Sequence, residues 1–241
     1  MSIIGDPDTI IIDFCDLETD YKNLSMVNNR FYNLITKNNE LFVQWKNISK
    51  WNDLVSSFVS SCELGLQLLA KYYIRKYNVD INALDALFHS CRTGQIEIAK
   101  YLINLYDQSG YTPIDIHAHK EWIFGNCCIA GNIEAAKYLI SLSAQPRYMK
   151  IDLHVGNEKI FIDSCRNGHI EIVKCLIDLS TQSGYTQINI HARNDLAFRS
   201  SCEKGHIQVA KYLIFLGNQP GYTPIDNEII EKYMQQFNIL Q

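Results

Sequence analysis

The sequence has little of what most functional classes require. Its 241 residues hold 22 Lys and Arg against 26 Asp and Glu, for a formal net charge of −4. The basic residues are spread along the chain, so nothing draws it to phosphate and no nucleic acid partner is expected. No run approaches the roughly eighteen apolar residues that a membrane helix needs, so no membrane partner is expected either. The opening stretch MSIIGDPDTIIIDF is broken by Asp6, Asp8 and Asp13 and has no basic region before it, which predicts no secretory signal. There is no glycine-rich phosphate loop, no His-Glu-x-x-His and no Gly-x-Ser-x-Gly; no catalytic residue and no cofactor is therefore assigned, and the chain is not expected to be an enzyme. Eight cysteines are present. Most sit in helix-like patterns beside glycine, in a long chain without an export signal. Reduced thiols in a cytoplasmic or nuclear protein are expected, not a disulfide framework.

What the chain does have is repetition. Five blocks align: SCELGLQLLAKYYI from Ser61, SCRTGQIEIAKYLI from Ser90, CCIAGNIEAAKYLI from Cys127, SCRNGHIEIVKCLI from Ser164 and SCEKGHIQVAKYLI from Ser201. Cys62, Cys91, Cys128, Cys165 and Cys202 mark equivalent positions, spaced 29, 37, 37 and 37 residues apart. Gly65, Gly94, Gly131, Gly168 and Gly205 fall where a left-handed residue would turn one helix into the next. After each glycine, apolar residues such as Ile96, Ile98, Ala99, Leu102 and Ile103, or Ile170, Ile172, Val173, Leu176 and Ile177, recur at helical spacing. Each block thus reads as helix, turn and amphipathic helix. Glu97 with Lys100, Glu134 with Lys137 and Glu171 with Lys174 read as solvated helix surface.

These blocks resemble the ankyrin repeat, whose core runs Ala-Ala-x-x-Gly-His-x-x-x-Val-x-x-Leu-Leu, with Ser-Cys standing for Ala-Ala over residues 53–241. Both sites need small side chains, and cysteine behaves as a small apolar residue. The resemblance implies an all-α solenoid of about five units, with a 37-residue period about four residues longer than the family's. In this register the family's Thr-Pro-Leu-His falls on WIFG, KIFI and LAFR, at 122–125, 159–162 and 196–199. Its apolar third residue survives as Phe124, Phe161 and Phe198, with Phe58 and Leu87 in the earlier units. The stretch SGYTPIDIHA at 109–118 therefore divides in two. Gly-Tyr-Thr-Pro is an inserted loop tip, and IDIHA, like IDLHV at 151–155 and INIHA at 188–192, is the turn leading to the next unit. Asn157-Glu158 and Asn194-Asp195 are expected to cap the helix that follows and to supply its first-turn acid.

Residues 1–50 contain no such block. Apolar clusters at Ile10 to Ile12, at Leu24, Val27, Phe31, Leu34 and Ile35, and at Leu41, Phe42 and Trp45 predict three short helices. With Pro7, NLSMVNNRFYNLI at 23–35 and LFVQW at 41–45, the segment resembles an F-box, although Asp6 stands where the family begins with Leu. The expected organisation is an F-box-like helical module over 1–50 and an ankyrin repeat domain over 51–241. The resemblance implies that Pro7, Ile10, Ile11, Leu24, Val27 and Phe31 dock on the Skp-type linker subunit of a cullin-RING ubiquitin ligase, while the repeats recruit an unidentified target protein. Such combinations resemble chains of poxviruses and of amoeba-infecting giant viruses, in which case the ligase would be the host's. The alternative is an ankyrin scaffold or host-protein binder whose N-terminal helices only cap the stack. Either way a monomer is expected.

Three recurring side chains invite chemistry. His117, His154 and His191 lie 37 residues apart, but stacked helical units sit about 8–10 Å apart, too far for imidazoles to share a zinc ligated at about 2.0–2.1 Å. A polar turn residue is the expected role, and no metal is assigned. The cysteine ladder is excluded from disulfides on the same spacing, since Cα atoms must lie within about 7 Å. Cys127 and Cys128 are expected on different faces of one helix, and Cys175, which replaces the Tyr of positions 101, 138 and 212, is expected to be more exposed and more reactive. Finally, Tyr111, Tyr148, Tyr185 and Tyr222 occupy equivalent loop positions. Two readings stand: the rings form an exposed row that contacts a partner, or each folds back to staple its own loop. The row is the candidate binding site.

Overall fold

The computed structural model describes residues 54–65, 70, 74, 83–108 and 113–236. Residues 1–50, and with them the F-box-like segment and the division after residue 50, lie outside the described residues. Among the described residues every regular element is an α-helix. The chain divides into two compact units, residues 1–89 and 90–241. In the first, α1 (Leu54–Glu63) buries Phe58 and Cys62. Ala70 and Ile74 are buried as well, as are Ala86 and Leu87 at the start of α2 (Ala83–Arg92).

The second unit is a stack. The rest of α2 leads into α3 (Ile96–Tyr106), and three further helix pairs follow: α4 (Ala118–Ile129) with α5 (Ile133–Ser143), α6 (Val155–Arg166) with α7 (Ile170–Ser180), and α8 (Ala192–Glu203) with α9 (Ile207–Gly217). The last helix is α10 (Asn227–Gln236). Helices α4, α6 and α8 pack in succession, as do α3, α5, α7 and α9. Phe124, Phe161 and Phe198, the expected apolar third residues, are at most 1 % exposed, and full burial of each contributes on the order of 2–3 kcal/mol. Cys91, Cys128, Cys165 and Cys202 are fully buried. Their serine neighbours stay dry by donating to carbonyls of their own helix, Ser164 Oγ to Ile160 at 2.8 Å and Ser201 Oγ to Phe198 at 2.7 Å. Small side chains at this pair of positions are what close helix approach demands.

Four of the glycine turns share one geometry. The Gly168 N–H donates to Cys165 O (3.1 Å) and the His169 N–H to Ser164 O (3.1 Å), and the turns at Gly94, Gly131 and Gly205 repeat this pair, the pattern of a Schellman motif. Gly168 has φ +77°, and the space a Cβ would need is taken by the ring of His206 from the next unit. Glycine is therefore required twice over, by backbone conformation and by the neighbour lying on it.

The segment before each first helix departs from expectation. Asn157 and Asn194 are not caps, and Glu158 and Asp195 are not first-turn acids of a right-handed helix. His119 to Glu121, Gly156 to Glu158 and Arg193 to Asp195 each form three successive left-handed residues, with φ 53–61° and ψ 25–68°. For residues with a Cβ that conformation costs roughly 1–2 kcal/mol apiece, so something must hold it.

Candidate partner-binding surface

The turn after each second helix is built from a glutamine and a tyrosine three residues apart. The Tyr148 N–H donates to Gln145 O (3.0 Å), Tyr185 to Gln182 (3.1 Å) and Tyr222 to Gln219 (3.1 Å). Beyond it the chain runs extended, burying alternate apolar residues: Ile151 and Leu153, then Ile188 and Ile190. In each case an Asx turn follows, His154 N–H to Asp152 Oδ1 (2.9 Å) and His191 N–H to Asn189 Oδ1 (3.0 Å). This delivers His117, His154 and His191 to the edges of three successive units.

These histidines are inter-unit connectors. His117 Nδ1 donates to Glu121 Oε1 (2.8 Å), His154 to Glu158 (2.7 Å) and His191 to Asp195 (2.6 Å), bridging the left-handed turn. The acids are buried, at 5, 4 and 8 % exposure. Glu121 Oε1 also accepts the Asp152 N–H and Glu158 Oε1 the Asn189 N–H, both at 3.1 Å, from the following unit. In the first two turns a carboxylate shared between its own turn and the next unit's backbone holds the left-handed residues, and in the third Asp195 does so through His191 alone. On the outer side, His154 Nε2 meets Thr186 Oγ1 (2.5 Å), and His191 Nε2 meets Thr223 Oγ1 (2.8 Å) and its carbonyl oxygen (2.9 Å). The Thr of Gly-Tyr-Thr is therefore a clamp on the preceding unit. At the third junction the equivalent residue is Met149, and His117 Nε2 is buried without a partner. The polar turn role expected for the histidines holds, but the acids and threonines that complete it were missed. The recurring His-x-x-x-Glu/Asp of HAHKE, HVGNE and HARND was the available signal.

Of the candidate tyrosines, Tyr111 lies outside the described residues, as do Pro7, Ile10, Ile11, Leu24, Val27 and Phe31. Tyr148, Tyr185 and Tyr222 are half-buried. The hydroxyl of Tyr222 is buried without a partner, and that of Tyr148 is buried beside Asp107. Burial, together with the charge of Asp107, raises the Tyr148 pKa, while Arg147 opposes it. Arg147 lies over the Tyr148 ring at 4.7 Å and pairs with Asp107 of the preceding unit at 2.5 Å. Lys150 Nζ stands 5.1 Å from the Tyr185 ring and donates to Ser183 O. Basic side chains thus lie over the rings of Tyr148 and Tyr185, and Met149 between them is 73 % exposed.

The cysteines described are all free thiols. Cys127, standing where other units have serine, lies beside Cys91 of the unit before it, and both are free thiols. The neighbouring Cys91 thiol and burial raise its pKa. Cys175 is the one half-buried thiol among them. Burial raises its pKa too, with Lys137 opposing, so the expected higher reactivity does not follow from its exposure. Among the described residues no group of three or more His, Cys, Asp or Glu could hold a metal ion, and no helix is long and apolar enough to cross a membrane. Glu97 with Lys100 (2.8 Å) and Glu171 with Lys174 (3.1 Å) are exposed pairs, as the pattern indicated.

Residues 124–224 match the family model of ankyrin repeats, in three copies. No curated protein matches the chain.

Proposed function

We propose that this chain is a non-enzymatic protein–protein interaction adaptor. Ankyrin repeats are generally an interaction domain without catalysis, and the three copies over 124–224 support a scaffold of that kind. The observation that carries the reading is the division of labour in the stack. Its His–carboxylate–Thr links and buried Phe, Cys and Ser residues are used in holding units together, while Arg147, Met149 and Lys150 are exposed and Tyr148, Tyr185 and Tyr222 half-exposed at equivalent loop positions. Half-exposed rings beside basic side chains suit an acidic, partly apolar protein surface, and Tyr111 belongs to the same row by sequence position.

Within that reading, the finer role is recruitment of a target protein to a host cullin-RING ubiquitin ligase. Residues 1–50, through Pro7, Ile10, Ile11, Leu24, Val27 and Phe31, would dock on the Skp-type linker subunit. What supports it is the F-box resemblance of NLSMVNNRFYNLI and LFVQW, together with the likeness to chains of giant DNA viruses. Binding of the purified linker subunit to the full-length protein, and to a form lacking residues 1–50, tests it. Binding by the first and not the second is expected. Failure of the full-length chain to bind removes the ligase role and leaves a scaffold.

A further inference from the structure

The second helices of the units carry a tyrosine at one position, Tyr101 in α3, Tyr138 in α5 and Tyr212 in α9, but α7 has Cys175 there. The two later tyrosines lean on the preceding unit. Tyr138 lies within electrostatic reach of Asp107 and Cys91, and Tyr212 of Asp178 and Cys165; burial raises the pKa of both. At these junctions a half-buried phenol ring of the second helix thus stands beside side chains of the preceding unit. Between α5 and α7 the ring is missing. In its place is an open groove of about 430 Å³, with Ile140 and Ala144 on one wall, Cys175 and Leu179 on the other, and Lys137 and Asp178 at the rim. Lys137 and the neighbouring Lys174 already have carboxylate partners, Glu134 at 3.6 Å and Glu171 at 3.1 Å. Asp178 forms no ion pair among the described residues.

We infer that this groove is a docking site for an aromatic side chain of a partner protein, followed by a basic residue that meets Asp178. The shape argument comes from the chain itself: the position of Cys175 carries a tyrosine in neighbouring units, so a ring from outside takes the place of the missing one. Charge complementarity gives the second half, because the rim carboxylate, which forms no ion pair among the described residues, favours a cation beside the ring. An aromatic anchor in a pocket next to a charge pair is a common form of interface hot spot. The inference rests on the adaptor reading and gives it a second, separate contact surface.

The test uses the full-length protein and two probes, N-acetyl-tyrosinamide and N-acetyl-tyrosyl-argininamide, titrated while backbone amides are followed by NMR. Both are expected to shift amides of α5 and α7, with the arginine-containing probe binding severalfold more tightly. Cys175→Tyr fills the groove from within and should abolish both titrations. Ala144→Phe, which fills it from the opposite wall, should do the same and serves if the first variant fails to fold. Asp178→Asn should erase the advantage of the arginine probe and leave the other unchanged. Absence of shifts in the unsubstituted protein, or equal binding by a folded filled variant, overturns the inference. A tyrosine probe that binds as tightly as the arginine one removes the role of Asp178. The adaptor reading fails separately, if the full-length protein captures no protein partner through any surface.

Discussion

Two kinds of junction connect the units of the stack, and they differ by one side chain. At His154 and His191 the chain of contacts is complete: a buried carboxylate on Nδ1, a loop threonine on Nε2, and for Glu158 a backbone N–H of the next unit. At His117 the carboxylate is in place and the backbone N–H is bound, but Met149 stands where the threonine belongs and Nε2 is left alone in a buried setting. The comparison separates two roles. The carboxylate fixes the left-handed turn and is present everywhere; the threonine ties the inserted loop down and is dispensable. The loop is exposed at these positions with or without the tie: Arg147 and Met149 face solvent, and so do Gly184 and Thr186.

The largest effect is expected from removing the carboxylate. Glu158→Ala strips His154 and the Asn189 N–H of their acceptor at once, and urea denaturation should show a loss of about 3 kcal/mol. A loss below about 0.5 kcal/mol, the size of an ordinary surface substitution, would show that the turn is held by something else. Thr186→Val converts the complete junction into the incomplete one. Because His154 is partly exposed, with its side chain at 37 %, a loss of about 1 kcal/mol is expected. The reverse change, Met149→Thr, should stabilise by up to about 1 kcal/mol by giving His117 its outer partner. A destabilised Met149→Thr protein would mean that the methionine packs usefully in ways its exposure conceals. The smallest effect is expected in alkali. Burial holds the Tyr138 pKa at about 12, above its ordinary value. The unfolded chain therefore gives up its phenolic proton first, so this contribution is intact below pH about 10 and is lost as pH rises through about 12. Tyr138→Phe should flatten the fall in stability over that interval, measured by denaturation midpoints across the same pH range.

Much of the fold was legible because it repeats. The spacing of Cys62, Cys91, Cys128, Cys165 and Cys202, the glycine three residues after each, and the helical period of the residues beyond are one-dimensional signals, each tied to a local requirement. The structure places the glycines at positive φ and the phenylalanines in the core, as that pattern required. The left-handed turn was not legible. Asn-Glu and Asn-Asp before an apolar run satisfy the rules for a helix cap, and nothing local states that the acid will instead be claimed by a histidine four residues earlier and, for Glu158, by a backbone amide about thirty residues later. The loop tyrosines were ambiguous for a related reason: whether a ring faces solvent depends on what the preceding unit offers it, and Asp107 with Arg147 supplies that only in three dimensions.

The sequence by itself therefore determined the unit: two helices, a glycine turn, a small-residue seam and the period at which they recur, because each of these is set by contacts within about forty residues. Tertiary structure alone decided what joins the units. His154 needs Thr186, Gly168 needs the ring of His206 to lie over it, and the gap at Cys175 exists only beside α5. Hydrogen-bond direction and the filling of a groove are relations between surfaces, and they take definite values only when one unit is set against the next.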